Sequence, residues 1–374
     1  MRGVRVEDII KAHIQKQGGA ISFRNFMELC LYHPEAGYYQ RASEKTGKGG
    51  DFYTSPNVSS VFGEVIANYI YKMWIELGSP NPFQIVEFGA GKGQLAEAII
   101  TKLAKGSFDL NNLNYIIIDA SKSFQQEQKQ RLDSFPVTWL DSIEELTKPI
   151  EGCILSNELI DAFPVHWVRY EDNVLLEKFV GYDALKQEFT ILHKPAAKEL
   201  CDYFQEQQVQ FTSGQEAEVN LEAKKWLEQC ANELRRGYLL TIDYGYLRDE
   251  LYAPHRKCGT LLCYRKHRVN ENPLQFVGEQ DITSHVNFSQ LIDWGEHLGL
   301  DTIQFFNQQE FLMQGGIMAY LQAITTSNPF DPLFKKNAAI KQLLMPGGMG
   351  DTFKVLIQGK GAPSNLKIDI PYVK

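Results

Sequence analysis

The chain has 374 residues, 44% hydrophobic and 22% charged, with a formal net charge of −8. This balance fits a folded globular protein, long for one domain but within reach of an open α/β domain with insertions. The negative charge argues against a general nucleic-acid or membrane-surface binder, whose electrostatic footprint would be basic.

In chain order, residues 4–16 read as an amphipathic helix with Val6, Ile9, Ile10 and Ile14 on one side, ended by Gly18 and Gly19. Ser22 reads as the N-cap of a helix over 23–31, with Phe26, Met27 and Leu29 inward, and Pro34 and Gly37 break the pattern. A polar stretch over 41–51 leads into Gly-Asp-Phe-Tyr-Thr-Ser-Pro at 50–56, ahead of a helix over 59–77. Taken alone, 50–56 is a structural cap of the N-terminal helices rather than a lid.

The apolar run 83–88 is a buried parallel strand. It runs into Glu87-x-Gly89-x-Gly91-x-Gly93 and then a helix over 93–105. A strand, a glycine turn and a helix N-terminus make a nucleotide-sized site. A dinucleotide fingerprint would need glycine where Gln94 stands, and no phosphate-binding P-loop occurs. An acid two residues before the first glycine is similar to motif I of the class I S-adenosylmethionine-dependent methyltransferases, although a plain strand–helix turn has the same local pattern. Strand two, 114–120, carries Asp119 near its carboxyl end, where a carboxylate can accept two ribose hydroxyls. After a helix over 123–132, strand three, 137–140, ends at Asp141 and Ser142. That pair either lies beside an adenine or caps the following helix.

Strand four, 152–156, runs into Asn157-Glu158-Leu159-Ile160-Asp161-Ala162-Phe163-Pro164. In a doubly wound sheet, chemistry collects at the carboxyl ends of the strands. Asn157, Glu158 and Asp161 are therefore the active-site candidates, set against an N-capped turn. A near-period-two pattern over 166–193 predicts a β-rich insertion over 165–219. A helix over 221–234 should end with Gly237 at C′. Strand five is 238–244. A second insertion, 249–287, holds a basic cluster of His255, Arg256, Lys257, Arg265, Lys266, His267 and Arg268, read as a solvated face. The segment 278–288 should cap a helix over 289–298. Strand six (301–306), helical segments over 309–345 and strand seven (352–358) complete the pattern.

Six cysteines form no C-x-x-C pair and no zinc-finger spacing, so buried reduced thiols, a reducing compartment and no metal are expected. No apolar run of membrane-spanning length occurs. The N-terminus lacks a signal core and a transit-peptide composition. Cytoplasm is the expected location.

Several motifs together carry a resemblance. Segments 26–39, 50–56, 62–64, 87–95, 157–165, 242–246, 259–264 and 278–288 resemble the MidA-like proteins. That class I methyltransferase family includes a mitochondrial protein arginine methyltransferase that assists complex I assembly. Gly-Asp-Phe-Tyr-Thr-Ser-Pro and Asn-Glu-Leu-Ile-Asp-Ala-Phe-Pro are the specific stretches. The chain departs from the family at Phe88, Ala90 and Lys92 within motif I, and at Asp119, where glutamate is usual.

The resemblance implies an α/β, Rossmann-like sheet of seven mostly parallel strands, the last antiparallel, with a helical N-terminal segment and two insertions. The expected parts are an N-terminal helical and lid region (1–80), a first half of the core (81–164), a β-rich insertion (165–219), and a second half (220–374) carrying the insertion 249–287. S-adenosyl-L-methionine is the implied cofactor. Glu87, Gly89, Gly91, Gly93, Asp119, Asp141, Ser142 and, in a lid, Thr54, Ser55 and Pro56 are its expected contacts. Glu158, with Asp161 and Asn157, is expected to carry methyl transfer to an arginine. Tyr264, Asp281 and His285 are expected to bind substrate. A protein substrate is expected, with no nucleic acid and no membrane insertion, and a homodimer is left open. The rival readings are a non-catalytic cofactor-binding assembly factor, a small-molecule methyltransferase, and a nicotinamide oxidoreductase disfavoured by Gln94.

Overall fold

The computed structural model describes residues 5–40, 60–266, 268–323 and 331–366. Among these, the helices of seven residues or more are α1 Val6–Lys16, α2 Phe23–Tyr32, α3 Ser60–Glu76, α4 Gln94–Lys105, α5 Lys122–Arg131, α6 Lys198–Glu206, α7 Leu221–Glu233, α8 Phe288–His297, α9 Gln308–Gln314 and α10 Pro332–Leu344. The strands are β1 Ala20–Ser22, β2 Phe83–Phe88, β3 Leu113–Ile118, β4 Val137–Leu140, β5 Ile150–Asn157, β6 His166–Glu171, β7 Val174–Asp183 and β8 Glu188–Pro195. They continue with β9 Glu216–Val219, β10 Leu234–Tyr246, β11 Leu262–Arg265, β12 Arg268–Asn270, β13 Asp281–Thr283, β14 Val286–Asn287, β15 Asp301–Asn307 and β16 Phe353–Lys360.

These elements group into two compact units. One takes the described residues of Tyr53–Leu159, Leu227–Tyr244 and Ile292–Lys374. Its sheet has the order β15-β16-β10-β5-β2-β3-β4. Strands β10, β5, β2, β3 and β4 run parallel, and β16 is antiparallel to both of its neighbours. This is the expected class I methyltransferase sheet. Strand β2 is buried at every position, because helices cover both faces of a parallel sheet. Phe83, Ile85, Ile117, Leu155, Leu240 and Val355 from the strands share one core with Phe62, Ile66 and Ile70 of α3. The Tyr69 ring stacks on Phe311 at 4.1 Å, and its hydroxyl donates to the Phe311 carbonyl at 2.9 Å. The chain turns to opposite sides after β2 and before β5, so the carboxyl ends of these two strands flank the switch point where ligands bind in such sheets.

Gly237 corrects a sequence expectation. It does not end α7: β10 begins at Leu234, directly after the helix, and Gly237 lies within the strand opposite Gly152. A Cβ on Gly237 would stand 2.0 Å from the Gly152 carbonyl oxygen, and one on Gly152 would stand 2.0 Å from that of Gln84. Close approach of three backbones, rather than helix termination, explains both glycines.

The other unit takes the described residues of Met1–Phe52, Ile160–Trp226 and Gly245–Leu291. An antiparallel sheet runs β1-β7-β6-β9, with β8 also paired to β7. A smaller sheet runs β12-β11-β13. Val6, Ile10 and Ile14 of α1 and Phe23, Phe26, Met27 and Leu31 of α2 bury against Val180, Val165, Cys263 and Ile282. The four consecutive parts expected from sequence are therefore regrouped. The N-terminal region divides, α3 joining the parallel sheet while α1 and α2 join both insertions, because the inserted strands supply the apolar cover that those two helices need. Ser22 does cap α2, accepting the Asn25 amide at 3.3 Å. The preceding three residues also form β1, too short to show a period. Arg256 pairs with Glu250 at 2.7 Å and Arg265 with Glu279 at 3.0 Å, as a solvated face requires. His267 lies outside the described residues.

All six cysteines are free; Cys201 and Cys258 are exposed, against the expectation that all are buried. Among the described residues no helix is long and apolar enough to cross a membrane.

Candidate active site

The glycine turn is shaped by left-handed backbone. Gly89, Gly91 and Gly93 have φ of +63°, +53° and +76°, a region that side chains disfavour. The Gly89 amide donates to the Ile118 carbonyl at 2.9 Å, and that of Gly93 to Ala90 at 2.8 Å. Among the described residues a Cβ on Gly91 would meet nothing within 4 Å, whereas one on Gly89 would stand 2.9 Å from Leu159. The turn is thus anchored at its start and open at its middle.

Glu87, just before the turn, is 2% exposed and accepts the Tyr115 hydroxyl at 2.7 Å. Burial pushes its carboxyl up to about 7, with the Asp119 charge adding and the Tyr115 hydrogen bond opposing. Asp119 follows β3 directly and is buried. Its Oδ1 accepts the Ser121 amide at 2.9 Å and its Oδ2 accepts Gln128 Nε2 at 2.8 Å. A carboxylate so held is fixed in orientation at the end of its strand. Asp141, at the end of β4, is half exposed. It pairs with Lys122 and accepts Gln125 at 2.8 Å, contacts that hold its carboxyl below the usual range. Ser142 follows the capping alternative: it accepts the Glu144 amide, and Glu145 reaches back to its own amide at 3.2 Å.

The end of β5 is unusual in two ways. Ser156 Oγ and Asn157 Oδ1 are buried with no hydrogen-bond partner among the described residues, and such atoms in a native fold call for a ligand or water. Glu158 then adopts φ +51°, left-handed for a residue with a side chain. Its amide donates to the Ile242 carbonyl at 2.9 Å, and Asn157 Nδ2 donates to Glu158 Oε1 at 3.2 Å. The next amide, of Leu159, donates to Asp243 Oδ2 at 3.2 Å. Asp243 is fully buried on β10 and also accepts the Tyr244 amide at 2.9 Å. The neighbouring strand thus imposes the turn that Glu158 alone would resist; the conformation costs roughly 1–2 kcal/mol.

Two residues after Leu159, in the other unit, stands Asp161, 5% exposed. Its carbonyl accepts the Ser284 amide at 3.0 Å, and the Ala162 carbonyl accepts the Tyr32 hydroxyl at 3.0 Å. In the same unit both carboxylate oxygens of Asp281 accept the Tyr39 hydroxyl at 2.8 Å. Tyr264 pairs with Asp281 across β11 and β13. Burial, then the charges of Asp161 and Asp281, push its phenol up. His285 donates its amide to Thr260 Oγ1 at 3.0 Å. Burial, with Arg256 nearby, lowers its imidazole to about 4, so it is neutral at pH 7.

Among the site residues named from sequence, Glu87, the glycines, Asp119, Asn157 and Glu158 therefore gather at the carboxyl ends of β2, β3 and β5. Asp161, Tyr264 and Asp281 gather in the other unit. Thr54, Ser55 and Pro56 lie outside the described residues. Sequence reasoning missed Asp243, although it follows an apolar run just as Asp119 does. It also missed Tyr39 and Gln128, whose positions carry no pattern.

Comparison with known proteins adds three findings. Residues 65–306 match the profile of a family described as "Putative S-adenosyl-L-methionine-dependent methyltransferase". The chain is 26% identical over 368 residues to protein arginine methyltransferase NDUFAF7, mitochondrial, of Danio rerio, covering 90% of this chain and 82% of that protein. The Homo sapiens protein of the same name is 24% identical over 369 residues, covering 90% and 80%. A crystal structure from Burkholderia thailandensis with bound S-adenosyl-homocysteine superposes with a TM-score of 0.86 at 30% identity, covering 96% of this chain and 92% of that chain. The curated relatives are named as mitochondrial proteins, which overturns the expectation of a cytoplasmic location.

Proposed function

The chain belongs to the S-adenosyl-L-methionine-dependent methyltransferases, and from that premise we propose that it methylates a guanidino nitrogen of an arginine in a protein substrate, with Glu158 holding the guanidinium. S-adenosyl-L-methionine is the cofactor. The residues present fit it: among the described residues the turn is open over Gly91, Asp119 is a buried carboxylate held in place at the end of its strand, and Ser156 Oγ and Asn157 Oδ1 are buried and unpartnered. In this reading Glu87, Gly89, Gly91, Gly93 and Asp119 hold it, with Asp141 at the next strand end. When bound, it supplies an electrophilic methyl group on a positively charged sulfur.

An arginine side chain is protonated at neutral pH and presents a planar fork of donors. A carboxylate that takes two of these donors fixes the plane and draws positive charge toward the gripped nitrogens. The third nitrogen is left richer in electrons. Glu158 has the chemistry for this grip, and Asn157 Nδ2 orients its Oε1. The methylated nitrogen releases its proton to water; Asp161, the second acid of the motif, belongs to the other unit. In that unit Tyr264, Asp281 and neutral His285 are the candidate contacts for the protein substrate. The arginine specificity draws on the printed names of the relatives.

The observation that carries the assignment is the backbone of Glu158. A left-handed glutamate, pinned by Ile242 on one side and through Leu159 by Asp243 on the other, is strain of the kind that collects at functional sites. The test separates binding from turnover. Glu158→Gln should lower methyl transfer by roughly 100-fold or more while S-adenosylhomocysteine affinity, measured by calorimetry, stays within a few-fold. Equal loss of both would make Glu158 a cofactor contact instead.

A further inference from the structure

Gln128 lies on α5 and is completely buried, an uncommon place for a glutamine. Every strong hydrogen-bonding group of its amide is used. Nε2 donates to the Gly91 carbonyl at 2.8 Å and to Asp119 Oδ2 at 2.8 Å. Oε1 accepts the indole Nε1 of Trp139 on β4 at 3.1 Å. The orientation of the amide is chemically determined: an indole N–H only donates, so the oxygen must face Trp139 and the NH2 must face the two acceptors. One side chain thus ties together the middle of the glycine turn, the acid after β3 and the neighbouring strand. It ends on the carbonyl of the glycine whose Cα faces open space, and on one oxygen of the acid whose other oxygen is held by Ser121.

We propose that Gln128 is a positioning residue for the cofactor, presetting the Asp119 carboxylate and the Gly91 backbone before the ribose and the methionine portion arrive. The inference rests on the reading of Asp119 as the ribose acid. Fixing the carboxylate in advance removes rotamer freedom that binding would otherwise have to freeze. A glutamine that only filled the core would have no reason to place both donors on two ligand-facing groups.

Calorimetry with S-adenosylhomocysteine and its 2′,3′-dideoxyribose analogue tests this on wild type, Gln128→Met, Gln128→Glu and Asp119→Ala. Gln128→Met keeps the volume and removes the donors. It should weaken S-adenosylhomocysteine by about 10-fold or more but weaken the dideoxy analogue far less, since the preset carboxylate then has no diol to grip. Gln128→Glu should bind worst at high pH, where two carboxylates face each other, and recover as the pH falls and its protonated carboxyl donates to Asp119. Undiminished binding in Gln128→Met would overturn the proposal, as would equal losses for both ligands. If Gln128→Met does not fold, the pH response of Gln128→Glu decides: recovery supports the proposal, and flat binding overturns it. Asp119→Ala reports separately on the underlying reading. If that variant binds S-adenosylhomocysteine like wild type, the ribose assignment itself is wrong.

Discussion

At the scale of single residues, two side chains sit where free energy alone would not put them. Glu87 is a buried acid whose carboxyl is raised to about 7. The folded state therefore binds a proton that the unfolded chain has already released, and stability falls as pH rises from the ordinary glutamate value to about 7, then levels off. Glu87→Gln removes that dependence. Its stability relative to wild type should improve by about 2–3 kcal/mol between pH 5 and pH 8, read from urea unfolding at both values; a pH-independent difference would show that Glu87 does not titrate there. Glu158 carries backbone strain instead. Glu158→Gly relieves it, so thermal stability should hold or rise by up to about 1 kcal/mol while methyl transfer is lost. A clear loss of stability would mean that the Glu158 side chain supports the fold. Both acids were legible in the sequence as site candidates, Glu87 because it stands two residues before the first glycine of the turn and Glu158 because it follows an apolar strand. Their physical states were not: the burial of Glu87 and the pinning of Glu158 by Asp243 depend on how other strands of the sheet pack around them.

At the scale of elements, glycines that look alike in sequence do different work. Gly152 brings its backbone against Gln84, where an added Cβ would stand 2.0 Å from the carbonyl oxygen, while one on Gly91 would meet nothing within 4 Å among the described residues. Gly152→Ala should cost on the order of 3 kcal/mol or more, because the obstacle is backbone in the middle of a sheet. Gly91→Val should fold, losing about 1–2 kcal/mol to its positive φ, yet fail to bind S-adenosylhomocysteine in calorimetry. Undiminished binding there would remove the glycine turn from the cofactor site. The parallel strands were read well, since continuous burial leaves apolar runs with sharp ends. Gly237 was misread because a glycine after a helical pattern usually terminates it, and only the register of β10 against β5 reveals its purpose. Ser142 was left between capping and ligand binding, and the capping box decides its hydrogen bonds.

At the scale of the whole molecule, the chain leaves the parallel-sheet unit at Leu159 and returns at Leu227, leaves again after Tyr244 and returns at Ile292. The sequence showed the two insertions but not that α1 and α2 fold with them, because that pairing joins segments far apart in the chain. Asn157 and Glu158 lie just before the end of one segment of the parallel-sheet unit, and Asp161 just after the start of a segment of the other. S-adenosylhomocysteine at 100 times its Kd should stabilise the folded chain by about 2.7 kcal/mol and raise Tm by about 3 °C, an effect that Gly91→Val should abolish. The account's central claim is protein arginine methylation. The measurement that tests it most directly incubates the protein with tritiated S-adenosyl-L-methionine and an extract of cells lacking it, then hydrolyses the labelled proteins to amino acids. Label on a discrete protein band, recovered as methylated arginine and absent with Glu158→Gln, is the predicted result. Label confined to small molecules, or recovered on another amino acid, would contradict the account.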